Sequence, residues 1–195
     1  MRSLKIFLLF AAALLITAGA LAQNETLSVI HSRKSVRNFT GVPAGKDELL
    51  TLVKAAMAAP TAVDRRPWAF VIVTDKETLK KLAEGMPYTK MLPQAGAGIV
   101  VCGVMEKALA GDGRDFWVQD CSAATENLLL AAESMGLGAV WTGVYPDKER
   151  ISFVRKTLGL PEGVVPLNLI PVGYPAGVEK PKDKFDPANI HWEKW

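Results

Sequence analysis

The run from Phe116 to Met135 constrains the fold more than any other stretch. Apolar side chains would occupy most faces of the helix it forms, and Gly136 supplies the stop. A helix of that kind cannot lie on a surface with one broad side wet. It has to run through a core or a subunit interface.

Four apolar runs supply a layer for it to pack on. Ala69 to Thr74 and Gly98 to Met105 read as buried strands, Ala139 to Thr142 as a short one and Val164 to Tyr174 as a long one. Helical patterns separate them. Asn24 caps a short helix to Ser32, with Leu27 and Ile30 facing inward. Lys46 to Ala59 carries Leu49, Leu50, Val53, Ala56 and Met57 on one stripe, and Pro60 stops it. Asp75 caps a helix through Leu82. Asp147 caps another that carries Ile151, Val154 and Leu158 and is closed by Gly159 and Pro161. The segments Gly85 to Pro93 and Asp112 to Asp115 read as irregular. Beyond Pro175 the chain is rich in proline and lysine, lacks periodicity, and ends in His191-Trp192-Glu193-Lys194-Trp195. Strands and helices alternate with no repeat and no dividing linker. That suggests one α+β or α/β sandwich around a small sheet, spanning residues 23–195.

Residues 1–22 read as a cleavable leader: Arg2 and Lys5, then an apolar run from Ile6 to Leu15, then Ala20-Leu21-Ala22. The expectation is export, to a bacterial periplasm, with no stable membrane anchor once the leader is gone. The chain of 195 residues has a formal net charge of +3. Losing Arg2 and Lys5 takes 2 from its 23 basic side chains against 20 acidic ones, a net of +1. So even a balance argues against a nucleic-acid binder working by bulk charge. Cys102 lies in a strand-like run and Cys121 in a helical one. Two buried thiols is the favoured reading, and a disulfide is the alternative that an oxidising compartment permits.

Conventional reactive groups are absent from the pattern. No Gly-rich nucleotide fingerprint follows a strand, no nucleophile elbow occurs, and His31 and His191 have no metal-ligand spacing. An enzyme built from these residues borrows its reactivity from a cofactor. One cluster could hold it. In His31-Ser32-Arg33-Lys34-Ser35-Val36-Arg37-Asn38-Phe39, the residues Arg33, Ser35 and Arg37 alternate and share one side of an extended backbone. Two guanidiniums and a hydroxyl there suit a phosphate and a neighbouring electron-rich oxygen. Alone, the cluster reads first as a solvated basic turn, and the rest of the chain shifts that reading.

Four segments in this order resemble the nitroreductase family of flavin enzymes. Arg33-Lys34-Ser35-Val36-Arg37 is similar to the family's R-x-S-x-R. Ala59-Pro60-Thr61-Ala62 with Arg66-Pro67-Trp68 is similar to its A-P-S-x-x-N-x-Q-P-W. The others are Gly136-Leu137-Gly138-Ala139-Val140-Trp141-Thr142-Gly143, and Gly173-Tyr174-Pro175 with the downstream Lys182-Asp183-Lys184 and the aromatic tail. The resemblance implies a three-layer α/β/α sandwich of the α+β class, with a central mixed sheet and an extended C-terminal arm. It also implies a homodimer with FMN at the interface.

In that reading Arg33 and Ser35, with Lys34 in the same motif, hold the FMN phosphate, and Lys182 and Lys184 join from the C-terminal segment. Arg37 lies at the pyrimidine edge, and Lys90 is a second cation near the ribityl chain or that edge. Pro60, Thr61 and Ala62 pack along the ring from the other subunit. The backbone N–H of Thr142 or Gly143 points at flavin N5 and O4, with Trp141 beside them in the cofactor-binding strip. No side chain is catalytic: flavin N5 carries the hydride. The implied activity is reduction of nitroaromatics, quinones or similar small electron-poor acceptors by NAD(P)H, in a ping-pong cycle. A flavin-dependent reductive dehalogenase and a non-catalytic FMN-binding protein are the alternatives. The sequence departs from the family pattern at Asp64, where Asn is common, and at Arg66, where Gln is common. The two either touch ligand or pair with each other.

Overall fold

A computed structural model describes residues 25–195 of the chain. The leader expected over residues 1–22 and the helix cap expected at Asn24 lie outside the described residues. Helix α1 covers residues 25–32. It is followed by α2 (Lys46–Met57), β1 (Trp68–Val73), α3 (Lys76–Gly85), the single turn α4 (Leu92–Ala95) and β2 (Ala97–Val104). Then come α5 (Phe116–Ser134), β3 (Gly138–Ala139), β4 (Thr142–Gly143), α6 (Lys148–Leu158) and β5 (Val164–Gly173).

The strands form one sheet in the order β1-β2-β5-β3, with β4 also on β5. Side chains on β2 alternate cleanly. Ala97, Ile99 and Val101 face α2 and α5, whereas Val100 and Cys102 face α3, α4 and α6. Three layers result, with α5 pressed on the sheet as its composition demands. Trp117, Cys121, Ala124, Leu128 and Ala132 are buried along it. Asp75 and Asp147 cap α3 and α6: the Asp75 carboxylate accepts from Thr78 N–H at 2.8 Å, and the Asp147 carboxylate accepts from Glu149 and Arg150 N–H at 3.0 Å each. Gly136 closes α5 at φ +71°, where a side chain would be strained.

Four expectations need correction. The sheet is antiparallel in every pairing and not mixed. β2 and β3 do run in the same direction, linked by α5 as in a parallel crossover. However, β5 inserts between them, antiparallel to both. Alternation of strands and helices cannot reveal that late insertion. Second, Leu50 and Met57 are exposed on α2, and Leu52 takes the buried place instead. Leu49, Leu52, Val53 and Ala56 form the true i, i+3, i+4, i+7 stripe. Third, Leu27 and Ile30 on α1 are about half-exposed and do not face inward among the described residues. Fourth, the short strand expected over Ala139 to Thr142 is two, β3 and β4, separated by Val140 and Trp141.

Leu52→Ala should therefore cost about 2–5 kcal/mol of unfolding free energy, while Leu50→Ala costs no more than about 1 kcal/mol. Urea unfolding of the two variants checks the corrected stripe.

The cysteines sit on opposite faces of the sheet, Cys121 among the α2–α5 side chains and Cys102 among those facing α3 and α6. Side chains pointing apart across a sheet cannot be bridged. The Cys121 thiol donates to the Cys102 carbonyl at 3.6 Å instead. Burial pushes both thiols up to about 12. Both should stay unreactive toward a thiol reagent at pH 8 in the folded protein and react fully in denaturant, a difference read by absorbance.

Candidate functional site

The two ends of the described chain meet through backbone pairing. The extended segment after α1 runs along the edge of the fold, where Val36 N–H donates to Ala139 O at 3.0 Å. The Val36 side chain, 2 % exposed, fills the space left by Gly138, which has no side chain. Farther on, Thr40 N–H donates to Tyr174 O and Ala176 N–H to Asn38 O, each at 2.9 Å, flanking the Phe39–Pro175 bridge. Glu179 adds a side-chain stitch: its Oε1 accepts from Arg37 N–H at 3.3 Å and from Asn38 Nδ2 at 3.4 Å. This zipper lays the C-terminal arm beside the Arg33 to Arg37 stretch.

Between them lies a cleft of about 450 Å³ lined by Arg33, Lys34, Ser35, Arg37, Glu179, Lys180, Lys182 and Lys184. A second cleft of about 600 Å³ shares Arg33, Lys182 and Lys184 and adds His31 and Phe185. The shared cations form a common wall. Two of the basic groups are tied back to α5. Arg33 Nε lies 3.1 Å from Glu126 Oε1, and Lys34 Nζ lies 2.8 Å from Glu133 Oε1. Glu126 and Glu133 are two turns apart on one face of that helix. Arg37, Lys182 and Lys184 have no carboxylate partner among the described residues. The cleft thus holds more positive charge than its own acids offset, together with the Ser35 hydroxyl. That is the chemistry of a phosphate receptor.

The other expected residues line neither cleft. Pro60, Thr61 and Ala62 open a loop beside α5. Ala62 N–H donates to Asp120 Oδ1 at 2.8 Å, and Arg66 N–H donates to Thr61 Oγ1 at 3.1 Å. Val63, Asp64 and Arg66 hold φ values of 51°, 53° and 50°. Three non-glycine residues in the left-handed region within one loop is strain of the kind concentrated at functional sites. Asp64 and Arg66 pair with each other, Nε to Oδ1 at 2.7 Å and Nη2 to Oδ2 at 2.6 Å. The hydrogen bonds from Arg66 hold the Asp64 carboxyl below its ordinary range. Trp141 is about one-third exposed, and Thr142 is buried with its Oγ1 donating to Leu169 O. Gly143 faces Asn168 across the β4–β5 pair, and its carbonyl accepts from Arg150 Nη1 at 3.3 Å. Lys90 is exposed in the loop after α3.

Sequence reading missed Glu179, Asp120 and the Glu126–Glu133 pair. The seven-residue spacing of the last two was the available signal. Glu179 and Asp120 gave none, since a lone carboxylate in an arm or an apolar helix has no pattern.

The chain is a three-layer α+β fold whose two described ends build a cationic cleft. The Nitroreductase family model matches residues 30–86 and 85–174, and the chain belongs to that family. An Archaeoglobus fulgidus protein, named for the NADH dehydrogenase/NAD(P)H nitroreductases, is 44% identical over 174 residues, covering 88% of this chain and 99% of its own. An FMN reductase (NADPH) from Bacillus subtilis is 30% identical over 87% of this chain and 74% of its own. Among solved structures, a Parabacteroides distasonis protein of the same name as the first aligns with a TM-score of 0.83 and 52% identity, over 87% of this chain and 98% of its own. An FMN-dependent nitroreductase from Clostridium difficile aligns with a TM-score of 0.79 and 26% identity, over 87% and 99%.

Proposed function

We propose that this chain is an FMN-dependent NAD(P)H oxidoreductase acting on nitroaromatics, quinones or similar electron-poor small molecules by a ping-pong cycle. The observation that carries the reading is the convergence of Arg33 and Ser35 with Lys182 and Lys184 in one cleft. Those donors fit the FMN phosphate, and the family supplies the rest of the cofactor assignment. FMN, when bound, supplies the two-electron chemistry that no side chain here provides.

In this reading Arg33 and Ser35 hold the phosphate, with Lys182 and Lys184 closing over it. Lys34, bridged to Glu133, braces the segment against α5. Arg37 offsets negative charge that develops at the pyrimidine edge, with Lys90 as a second cation. Thr142 Oγ1 donates to Leu169 O, which pins this strip on β5, and the reading assigns the backbone N–H of Thr142 or Gly143, beside Trp141, to flavin N5 and O4. Pro60, Thr61 and Ala62 complete the site from a second copy of the chain. Two features support a homodimer. The loop at Pro60 and the cationic cleft are separate within one chain, and Leu27, Ile30, Phe185, Trp192 and Trp195 expose apolar surface that a partner would cover. Among the described residues no helix is long and apolar enough to cross a membrane. The leader composition supports export to a bacterial periplasm, which N-terminal sequencing of the native protein tests.

The purified protein should be yellow or become so with FMN. Its flavin absorbance should bleach on adding NADH or NADPH anaerobically and recover with a quinone. A colourless protein that cannot be loaded with FMN overturns the proposal; a loaded protein that neither nucleotide bleaches leaves only the FMN-binding alternative.

A further inference from the structure

Asp120 sits inside α5 with 6% of its surface exposed, and no other acidic side chain among the described residues is buried to that degree. Burying a carboxylate is costly unless hydrogen bonds replace its water. Here Oδ1 accepts from Ala62 N–H at 2.8 Å. The loop it holds contains Val63, Asp64 and Arg66 in the left-handed region, and Val63 is β-branched, the side-chain type least suited to it. Such a conformation persists only when its surroundings over-determine it. The Thr61–Arg66 and Asp64–Arg66 contacts lie inside the loop and move with it. Among the described residues, the bond to Asp120 is the hydrogen bond that ties Thr61 to Arg66 to another element.

We infer that Asp120 is a positioning residue for the flavin site, acting through Ala62 to hold the Pro60–Arg66 loop against the ring. The inference rests on the reading above that Pro60, Thr61 and Ala62 lie along the flavin. The working group is an acceptor oxygen fixed in the core, not a charge at the reacting atoms. Asp120→Asn keeps that oxygen, and Asp120→Ala removes it. Ala62→Pro makes the same cut from the donor side. Thr61 is extended, at φ −136° and ψ 157°, as a residue before proline must be, and Ala62 opens a 3₁₀ turn. Should Asp120→Ala fail to fold, Ala62→Pro carries the test.

Two readouts are needed: amide exchange from Val63 to Arg66, and FMN dissociation followed by flavin fluorescence. Asp120→Ala and Ala62→Pro should each speed exchange and weaken FMN binding about tenfold or more, the scale of leaving a hydrogen-bonding group in the core without its partner. Combining them should add little, since both cut one contact. Asp120→Asn should stay near the unsubstituted protein in both. Unchanged loop exchange in Asp120→Ala and Ala62→Pro overturns the positioning role. Faster exchange with unchanged FMN binding shows instead that the loop does not meet the flavin, and the inference falls with that reading. An Asp120→Asn protein as impaired as Asp120→Ala overturns the acceptor oxygen as the working group.

Discussion

Arg33→Ala is expected to weaken FMN binding about a hundredfold, the upper range for one hydrogen-bonded charge. Arg33 stands where both cationic clefts meet and is held there by Glu126 at 3.1 Å. A guanidinium already oriented by a partner loses less freedom on binding phosphate than an unrestrained lysine does. Lys182→Ala and Lys184→Ala should each cost less, because both side chains extend freely from the arm. The Arg33–Glu126 pair is partly solvated, so its loss should barely move the unfolding midpoint of the apo-protein. Flavin fluorescence titration measures the first quantity and thermal unfolding the second. Full FMN affinity in Arg33→Ala would remove the residue from the phosphate site.

Gly173→Ala is expected to be the most damaging small substitution in the sheet, costing about 3 kcal/mol or more. A Cβ placed there would stand 2.1 Å from Ala95 O, 2.9 Å from Ala95 C and 3.1 Å from Ala95 Cα. All three are backbone atoms at the end of α4, so no rotamer change relieves the clash. Gly85 offers the contrast. Its Cβ would meet the Phe153 ring at 2.0 Å, and a ring can swing away. Gly85→Ala should therefore cost less than Gly173→Ala in urea unfolding. Equal midpoints for Gly173→Ala and the unsubstituted protein would contradict the close packing of α4 on β5. The clash lies beside the Tyr174–Thr40 pairing, so this variant should also loosen the arm that carries Lys182 and Lys184.

Periodicity and caps made much of the fold legible. Asp75, Asp147, Gly136 and Gly159 mark element ends because each satisfies or terminates a helix in a way visible from neighbours in sequence. The long apolar helix marks the core for the same reason. What could not be read depends on contacts far along the chain. Leu50 and Leu52 are chemically equal, and only the position of α5 decides which is buried. The insertion of β5 between β2 and β3 leaves no trace in strand order. Leu27 and Ile30 follow a helical pattern, yet their partner surface is not in this chain's described residues.

The site divides the same way. Arg33, Ser35, Lys182 and Lys184 could be paired across the whole chain only through the family resemblance, since nothing local announces the Thr40–Tyr174 zipper that joins them. The Asp64–Arg66 departure was one of two open readings, and the geometry selects the ion pair. Asp120 was invisible because its partner is a backbone N–H, which carries no sequence signature.

In the proposed function, the two ends of the described chain build a receptor for the phosphate of a flavin. FMN and riboflavin differ by that phosphate alone, so their dissociation constants, measured side by side by flavin fluorescence, test it most directly. The cleft should hold FMN about a hundredfold more tightly than riboflavin, with the gap shrinking in Arg33→Ala and as salt rises. Equal affinity for the two flavins would contradict the account.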